Sequence, residues 1–550
     1  MAAAQPHLTA DAPANAPPPA SPLDDTKSLG ETAEEELGMP DTPPIQSAFV
    51  NLSRGQAVKT FWYATMCCFF AGVCVLMEGY QSSTAGSIVS NIGFIEQFGT
   101  PDPKTGKKAL DASYVSAWGG TGSVFAIIGH QVNSFIADRY GRRPAFLLAS
   151  TIAIAGILTE QFVTTMAGWL GGKMVTGLGW GMGQVVALTY IPEVAPVQLR
   201  GALLCCYALF VALGQLSSAV ALLIVNRTTP HEWRRAIYSG YVLVGIFLLL
   251  LPFIAESPVF YARLDRHDDA KKALRRLYGK VKGYDIDHEY AVIRAEIEHE
   301  RSLRQNENDS VYKEIFMGTN LLRTLPSFFG LIMIQWSGAS VVFSYATYFL
   351  QQVGIADPFQ GSCIVFTLLV ATLSVSFYCT DRFGRRTLLF TGGIGCFICN
   401  IILGTLGVVK HTPAVLNATL AVICVWVVIY AACLGGVCWG LSSEIATPRL
   451  RARTTAVVVN MSTLFSLLFG YTVPLMLSNK GKASRNWGVK TMYLFACLGG
   501  IGLVINYFML PELKGRTYAE LDEMYEKGIP PRKMKAFVTE AEKSGVKKRA

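Results

Sequence analysis

The sequence predicts an all-α membrane protein whose twelve transmembrane helices form two six-helix halves joined by a polar, helical linker. Of its 550 residues, 51% are hydrophobic and only 16% are charged, whereas about 25% of residues are charged in soluble proteins. Twelve apolar runs have roughly the 20-residue length that crosses a bilayer. Residues 138–143 return at 381–386 with one change, Phe383 in place of Tyr140, which indicates two related halves.

Five segments follow from this organisation. A stretch rich in Pro, Ala and acidic residues predicts a disordered tail over residues 1–56, without a cleaved signal peptide. We expect the first half over residues 57–255, the linker over 256–324, the second half over 325–510 and a charged tail over 511–550. The predicted spans occupy residues 60–80, 114–137, 144–162, 166–192, 202–225, 236–255, 325–350, 361–380, 387–409, 418–443, 454–478 and 491–510.

The repeated string lies between two apolar runs in each half, so each copy forms a tight polar turn. Its glycine permits the positive φ that so short a turn requires. Within the linker, residues 269–278 and 290–297 place small and apolar residues at helical spacing among charges. They predict amphipathic helices, with a flexible connector as the alternative.

Arginine-rich short loops are typical of the cytosolic side of a membrane. Arginines follow spans 2, 4, 8 and 10, so we expect a multi-pass plasma-membrane protein with both termini in the cytosol. The sequons at Asn226 and Asn417 then fall on predicted outside loops and are candidate glycosylation sites. This topology accounts for the net charge of +9 without a nucleic-acid partner.

The residue patterns argue against several other classes of function. The cysteines lie in or beside apolar runs, and no Cys/His spacing typical of a metal site occurs in a polar loop. No nucleophile–base set or phosphate-binding loop is evident either. We therefore expect neither an enzyme nor a bound metal or cofactor; the expected partners are the lipid bilayer and a small solute.

Several motifs carry a family resemblance. The repeated turn resembles the signature of the major facilitator superfamily, and residues 57–535 resemble its sugar porter family. The matches include residues 193–201 after span 4, Trp439 with Glu444 and Arg451 near span 10, and residues 511–517 after span 12. Residues 77–80, 453–460 and 520–530 resemble fungal maltose and α-glucoside permeases. The resemblance implies the major facilitator fold and alternating-access transport of a hexose, α-glucoside or polyol, and we expect a monomer.

Charged residues near the repeated turns are candidates for a gate. Glu193 and Arg200 in the first half, and Glu444 and Arg451 in the second, are each seven residues apart where a helix leaves the membrane. Each pair is expected to form charge-assisted hydrogen bonds with the turn of its own half, in one transport state only. Static surface ion pairs are the alternative. The turn residues concerned are Asp138, Arg139, Arg142, Asp381, Arg382 and Arg385.

Sugar recognition requires amides, hydroxyls and an aromatic face. The resemblance implies that Gln335 of span 7, Trp439 of span 10 and Asn460 of span 11 contact the solute. Ile334 and Ser340 of span 7 depart from the family pattern, and Ser340 is kept as a candidate for solute contact. Gln215 of span 5 is a further candidate, about two helical turns from Ala208, where the family usually has glutamine. For each of these residues, a hydrogen bond between helices is the alternative.

Charged residues inside the spans determine whether transport can be coupled to a proton gradient. Gln81 occupies the position where proton-coupled sugar porters usually carry a carboxylate, and an amide does not titrate. Lys173 of span 4 and Glu78 of span 1 are expected to pair, because an unpaired charge inside a membrane is costly. That pair would keep Glu78 ionised, which predicts facilitated diffusion. The alternatives are a proton symporter that uses Glu78, a transporter of a non-sugar metabolite, and a sugar sensor that does not transport.

Overall fold

The computed structural model describes residues 49, 52–101, 106, 108–196, 198–305, 311–410, 412–446, 450–478, 485–513, 518–534 and 536–539. Most of the predicted N-terminal tail therefore lies outside the described residues. Helices dominate, and the described strands are a two-residue antiparallel pair, Thr100–Pro101 with Lys108–Ala109.

Twelve membrane-length segments are present in the described part of the chain, as predicted. Ten of them are individually long and apolar enough to cross a membrane; the others are span 2, which is more polar, and the interrupted span 7. In order, the spans are Trp62–Ser87, Ala112–Tyr140, Arg142–Phe162, Met166–Val194, Arg200–Thr228, Arg234–Leu250, Gly318–Val353 in pieces, Pro358–Phe383, Arg385–Leu406, Pro413–Glu444 in pieces, Arg451–Leu477 and Thr491–Met509.

Spans 7 and 10 are interrupted at corresponding places. Span 7 consists of Gly318–Trp336, a π-helical turn at Ser340–Ser344 and Ala346–Val353. Span 10 consists of Pro413–Tyr430, a π-helical turn at Ala431–Gly435 and Val437–Glu444. Such turns leave the regular backbone pattern and are frequent at functional sites.

Four spans begin with a side-chain cap at the same end of the bundle. Asp111, Thr165, Asp357 and Thr412 each accept a hydrogen bond from a backbone N–H in the first turn, of spans 2, 4, 8 and 10 respectively. We call the end of the bundle that carries the turn at residues 138–143 the motif end. The end at which these four caps lie is called the opposite end. Side-chain oxygens satisfy backbone donors that a helix leaves unpaired at its start.

The two halves are in contact at the opposite end. A Cβ atom on Gly86 of span 1 would lie only 1.8 Å from the carbonyl oxygen of Ser344 in span 7, so only glycine permits this approach. Nearby, Arg227 of span 5 donates hydrogen bonds of 3.0 Å each to Asp357 and Gln360 of span 8. Along the bundle, span 2 packs on span 11 and span 5 packs on span 8.

The linker is helical, as predicted, with helices at Pro258–Arg263, His267–Tyr278, Ile286–Gln305 and Val311–Glu314. Lys271 Nζ lies 2.6 Å from Asp287 and joins two linker helices. Arg301 Nη1 lies 3.1 Å from Asp265 Oδ1, in the turn before His267–Tyr278. The hydrogen bond from Arg301 holds the pKa of the Asp265 carboxyl below its ordinary value. The remaining short helices are Arg54–Thr60, Ile88–Ser90, Ile92–Phe98, Leu251–Phe253, Gly488–Lys490, Tyr518–Glu526 and Pro531–Met534.

Candidate functional site

A buried arginine organises the motif end of the first half. The Arg142 side chain is 3% exposed; its Nε lies 2.9 Å from Glu193 Oε2, and its Nη2 lies 2.7 Å from Glu193 Oε1. This two-point contact between a guanidinium and a carboxylate is a charge-assisted hydrogen bond, which is roughly twice as strong as a neutral one. Asp138 adds a longer contact of 3.3 Å from a largely exposed side chain. The turn and the end of span 4 are thereby joined.

Glu256, just after span 6, completes this network. Its carboxylate accepts hydrogen bonds from the backbone N–H groups of Arg142 at 2.8 Å and Arg143 at 3.0 Å. The negative charge thus lies at the N-terminus of span 3, where a helix dipole favours it. Gly141 adopts a φ of +106°, and a Cβ atom there would lie 2.9 Å from Glu256 Oε2. The turn requires glycine for both reasons.

The second half repeats this arrangement in part. Gly384 has a φ of +86°, and a Cβ atom there would lie 3.1 Å from the carboxylate of Glu512, just after span 12. Glu512 therefore occupies the place that Glu256 takes in the first half. Arg382 and Arg385 also make polar or ionic contacts. The side chains of Asp381, Glu444 and Arg451 lie outside the described part of the structure, so their predicted contacts stay predictions.

Two predicted gate residues lie away from the buried network. Arg139 and Arg200 are exposed at the motif end. Arg139 lies over the neighbouring ring of Tyr140, at 5.9 Å from its centroid. Within the described residues, Arg200 forms no ion pair with Glu193, whose carboxylate is occupied by Arg142.

The predicted pair of Glu78 and Lys173 is wrong. Lys173 Nζ lies 2.8 Å from Glu160 Oε1 of span 3, and the two side chains are 5% and 0% exposed. The Thr176 hydroxyl donates to the same carboxylate at 2.9 Å, and Lys173 Nζ lies 4.7 Å above the ring of Trp169. Spans 3 and 4 pack tightly, so Glu160 satisfies the lysine without span 1.

Glu78 is held by neutral donors instead. Gln184 Nε2 donates to Glu78 Oε1 at 3.0 Å, and the Tyr207 hydroxyl donates to Glu78 Oε2 at 2.5 Å. Gln184 also donates to the Tyr207 oxygen at 2.7 Å, which closes a three-residue network across spans 1, 4 and 5. Buried His130 lies beside Gln184. No basic side chain among the described residues forms an ion pair with Glu78.

This network reaches the other half of the molecule. The rings of Tyr207 and Trp439 of span 10 are 6.5 Å apart in an edge-to-face arrangement. Gln81 lies one turn after Glu78 on span 1; its side chain is buried, and its Oε1 has no hydrogen-bond partner in the described structure. A carboxylate, an amide and two aromatic rings thus lie near the boundary between the halves. We call Glu78, Gln184, Tyr207 and Trp439 the central cluster.

The other predicted solute contacts are distributed over several helices. The Ser340 hydroxyl donates to Gln335 Oε1 at 3.3 Å, which places both at the π-helical turn of span 7. Gln215 is buried in span 5, and Asn460 is exposed on span 11. No described hydrogen bond joins Gln215 or Asn460 to the central cluster.

Both sequons lie within helices, so their predicted placement on loops was wrong. Asn226 is in the last turn of Arg200–Thr228, and Asn417 follows the start of Pro413–Tyr430 closely. The helices extend past the apolar runs that suggested loops. Glycosylation of either residue stays a prediction.

Sequence reasoning overlooked Glu160, Gln184 and Tyr207 and gave Glu256 and Glu512 no role. An acidic residue inside the apolar span 3 was a usable signal for Glu160. The position of an acidic residue just after the last helix of each half was a signal for Glu256 and Glu512. Nothing in the sequence marked Tyr207, because a tyrosine in a span is common.

The fold and the polar cluster between its halves define a membrane transporter of the major facilitator class. The sequence profile of the family described as "Sugar (and other) transporter" matches residues 67–525, and the chain belongs to this family. It is 31% identical over 469 residues to the MFS transporter fmqE of Aspergillus fumigatus, covering 84% of this chain and 86% of that protein. It is 24% identical to the low-affinity glucose transporter HXT3 of Saccharomyces cerevisiae, with 93% and 91% covered.

Solved structures agree on the fold. The inward open conformation of the xylose transporter XylE from E. coli aligns with a TM-score of 0.67 at 22% identity, over 84% of this chain and 99% of that one. The family profile and the sequence relatives support the sugar porter resemblance, and the finer resemblance to maltose permeases stays a prediction.

Proposed function

We propose that the protein transports a sugar or polyol across the plasma membrane by alternating access, with the motif end and both termini in the cytosol. The observation that carries this proposal is the central cluster, in which polar groups of spans 1, 4 and 5 meet Trp439 of the other half. A site built from both halves changes its access when the halves rotate. Family membership supports a carrier, and we propose no enzymatic activity.

The motif-end network has the properties of a latch. Arg142 is buried, so leaving Glu193 without a new partner would strand a charge in a low-dielectric environment. Movement at this end therefore requires an exchange of partners. We infer that Arg142, Glu193 and Glu256 set the rate of the conformational change, and that Asp381, Arg382, Arg385, Glu444 and Arg451 act similarly in the second half.

We infer that the solute lies against Trp439 and the amide of Gln335. Indole and amide groups match the apolar faces and hydroxyl rims of a sugar ring. Ser340 orients Gln335 through its hydroxyl, while Gln215 and Asn460 are secondary candidates for solute contact.

The expectation of facilitated diffusion rested on a lysine beside Glu78, and that lysine is bound to Glu160. Glu78 has only neutral donors, Gln184 and Tyr207, among the described residues. It can therefore take up a proton without leaving a cation unpaired. A symporter requires a group whose proton affinity differs between transport states, and we infer that Glu78 is this group.

Uptake assays in a cell without endogenous sugar transporters test both inferences. The wild-type chain is compared with Glu78→Gln and with Glu96→Gln, a control acid that is exposed at the opposite end. Labelled mono- and disaccharides and polyols are supplied with and without a protonophore. We expect accumulation above the external concentration, its collapse with the protonophore, and its loss only in Glu78→Gln.

Two results would contradict these inferences separately. If the solute concentration inside the cell never exceeds the external concentration, Glu78 has no coupling role. The inference that the protein transports the solute would still hold. Absence of uptake for every sugar and polyol, at normal surface abundance, would remove the sugar assignment.

A non-sugar metabolite is the second candidate. The 31% identical relative is named only as an MFS transporter, and the family description includes other transporters. Ala208 and Ile334 also replace amides that the sugar porters usually carry. Uptake of a non-sugar metabolite, with no competition from sugars, would favour this alternative.

A further inference from the structure

A cleft beside the start of span 1 is lined by basic and aromatic side chains. Its volume is about 820 Å³, and it lies between the helix Arg54–Thr60, the first turn of span 1 and the linker helix His267–Tyr278. None of its twelve lining residues is acidic. Its basic residues are Lys59, Arg275, Arg276, Lys280 and Lys282.

The cleft lies beside the start of span 1 and the end of span 6, where spans are expected to meet the membrane surface. Trp62, which lines it, is the first residue of span 1 and is 50% exposed. The Tyr63 hydroxyl donates to the carbonyl oxygen of Phe253 at 3.0 Å, and the Phe253 ring is 57% exposed at the end of span 6. Half-exposed aromatic residues at the ends of spans are typical of the zone of lipid headgroups.

The basic groups are largely available to a ligand. Arg276 donates to the carbonyl oxygen of Pro252 at 3.2 Å and to the Tyr63 oxygen at 3.3 Å, which fixes the back wall of the cleft. The other four basic side chains are exposed and form no ion pair with any described residue. The nearby acid Asp287 is occupied by Lys271.

We propose that this cleft binds the phosphate-bearing headgroup of an acidic phospholipid in the membrane leaflet at the motif end. Several basic residues next to a span attract anionic lipids, and the cleft volume falls within the usual range of about 300–1,000 Å³ for small-ligand sites. Aromatic side chains at its mouth lie where the glycerol and upper acyl chains of a bound lipid would pass. The assignment of the lipid to the cytosolic leaflet rests on the orientation proposed above. The proposal that the cleft binds the lipid does not depend on that orientation.

The test uses the purified full chain in neutral detergent, with short-chain phosphatidylserine as the probe and phosphatidylcholine as the neutral comparison. Binding is measured by native mass spectrometry and by the rise in melting temperature. The double variant Lys280→Gln/Lys282→Gln is compared with Lys272→Gln/Lys313→Gln, which removes the same charge from exposed lysines outside the cleft. We expect phosphatidylserine to bind about 25-fold more weakly to the cleft variant and with unchanged affinity to the control.

Three outcomes would overturn the proposal. Equal loss in both double variants would indicate a general charge effect. Full competition by inorganic phosphate at the concentration of the lipid would indicate a site for a free anion. A 25-fold gain in lipid affinity in Glu34→Gln/Glu35→Gln/Glu36→Gln would show that the chain's own acidic N-terminal segment occupies the cleft. Because no transport is measured, failure of the sugar assignment would leave these results unaffected.

Discussion

The buried pair of Lys173 and Glu160 gives the sharpest prediction. In Lys173→Met, the Glu160 carboxylate remains inside the bundle without its cation. Breaking one partner of a buried pair costs about 3–5 kcal/mol. Both side chains are at most 5% exposed, so solvent screens the charge little. The hydrogen bond from the Thr176 hydroxyl remains and places the cost toward the lower end of this range.

This cost can be measured as a melting temperature in detergent. One kcal/mol corresponds to about 2–4 °C for a cooperative unit of 150–250 residues, the size of one half, so we expect Lys173→Met to lower the melting temperature by at least about 6 °C. The double variant Lys173→Met/Glu160→Gln no longer carries an unpaired charge. It should recover to within about 1 kcal/mol of the wild type, because replacing both partners of a buried pair is often nearly neutral.

The control is Lys173→Met/Glu78→Gln, which changes the acid that sequence reasoning had paired with Lys173. It should show no recovery relative to Lys173→Met, since the two sites do not share a partner. Recovery with Glu78→Gln and none with Glu160→Gln would refute the assignment of the ion pair to spans 3 and 4.

Four further variants test the other parts of the structure. Glu193→Gln should leave the protein folded at the membrane but slow transport measured at equal surface abundance, because Arg142 loses its two-point ionic contact; a wild-type rate would exclude the latch. Gln335→Ala and Trp439→Ala should each raise the half-saturation concentration for the solute about tenfold, because loss of a buried hydrogen-bond partner costs about 1–3 kcal/mol of binding free energy. Unchanged half-saturation concentrations would show that both residues only pack. Gly141→Ala should reduce the amount of folded protein recovered in detergent, since a Cβ atom meets the Glu256 carboxylate at 2.9 Å in a left-handed backbone; normal recovery would show that the turn tolerates a side chain.

The sequence by itself determined the number of spans, the two halves, the helical linker and the family. Those features depend on properties that a chain carries locally. A bilayer imposes a fixed length on each apolar run, and the repeated turn marks the same place in both halves. The amphipathic linker helix His267–Tyr278 was also predictable, because its buried residues recur at helical spacing among charges.

Only the tertiary structure decided which polar groups meet inside the bundle. Span 4 packs against both span 1 and span 3, so either Glu78 or Glu160 could have been the partner of Lys173. The sequence does not specify whether Lys173 lies on the face of span 4 that contacts span 1 or on the face that contacts span 3. A transmembrane helix is apolar on nearly all sides, which removes the contrast that orients a helix in a soluble protein. The choice of Glu160 over Glu78, and of Tyr207 and Gln184 as partners of Glu78, therefore follows from helix packing, because inside a membrane each charged group binds whichever partner the packing places against it.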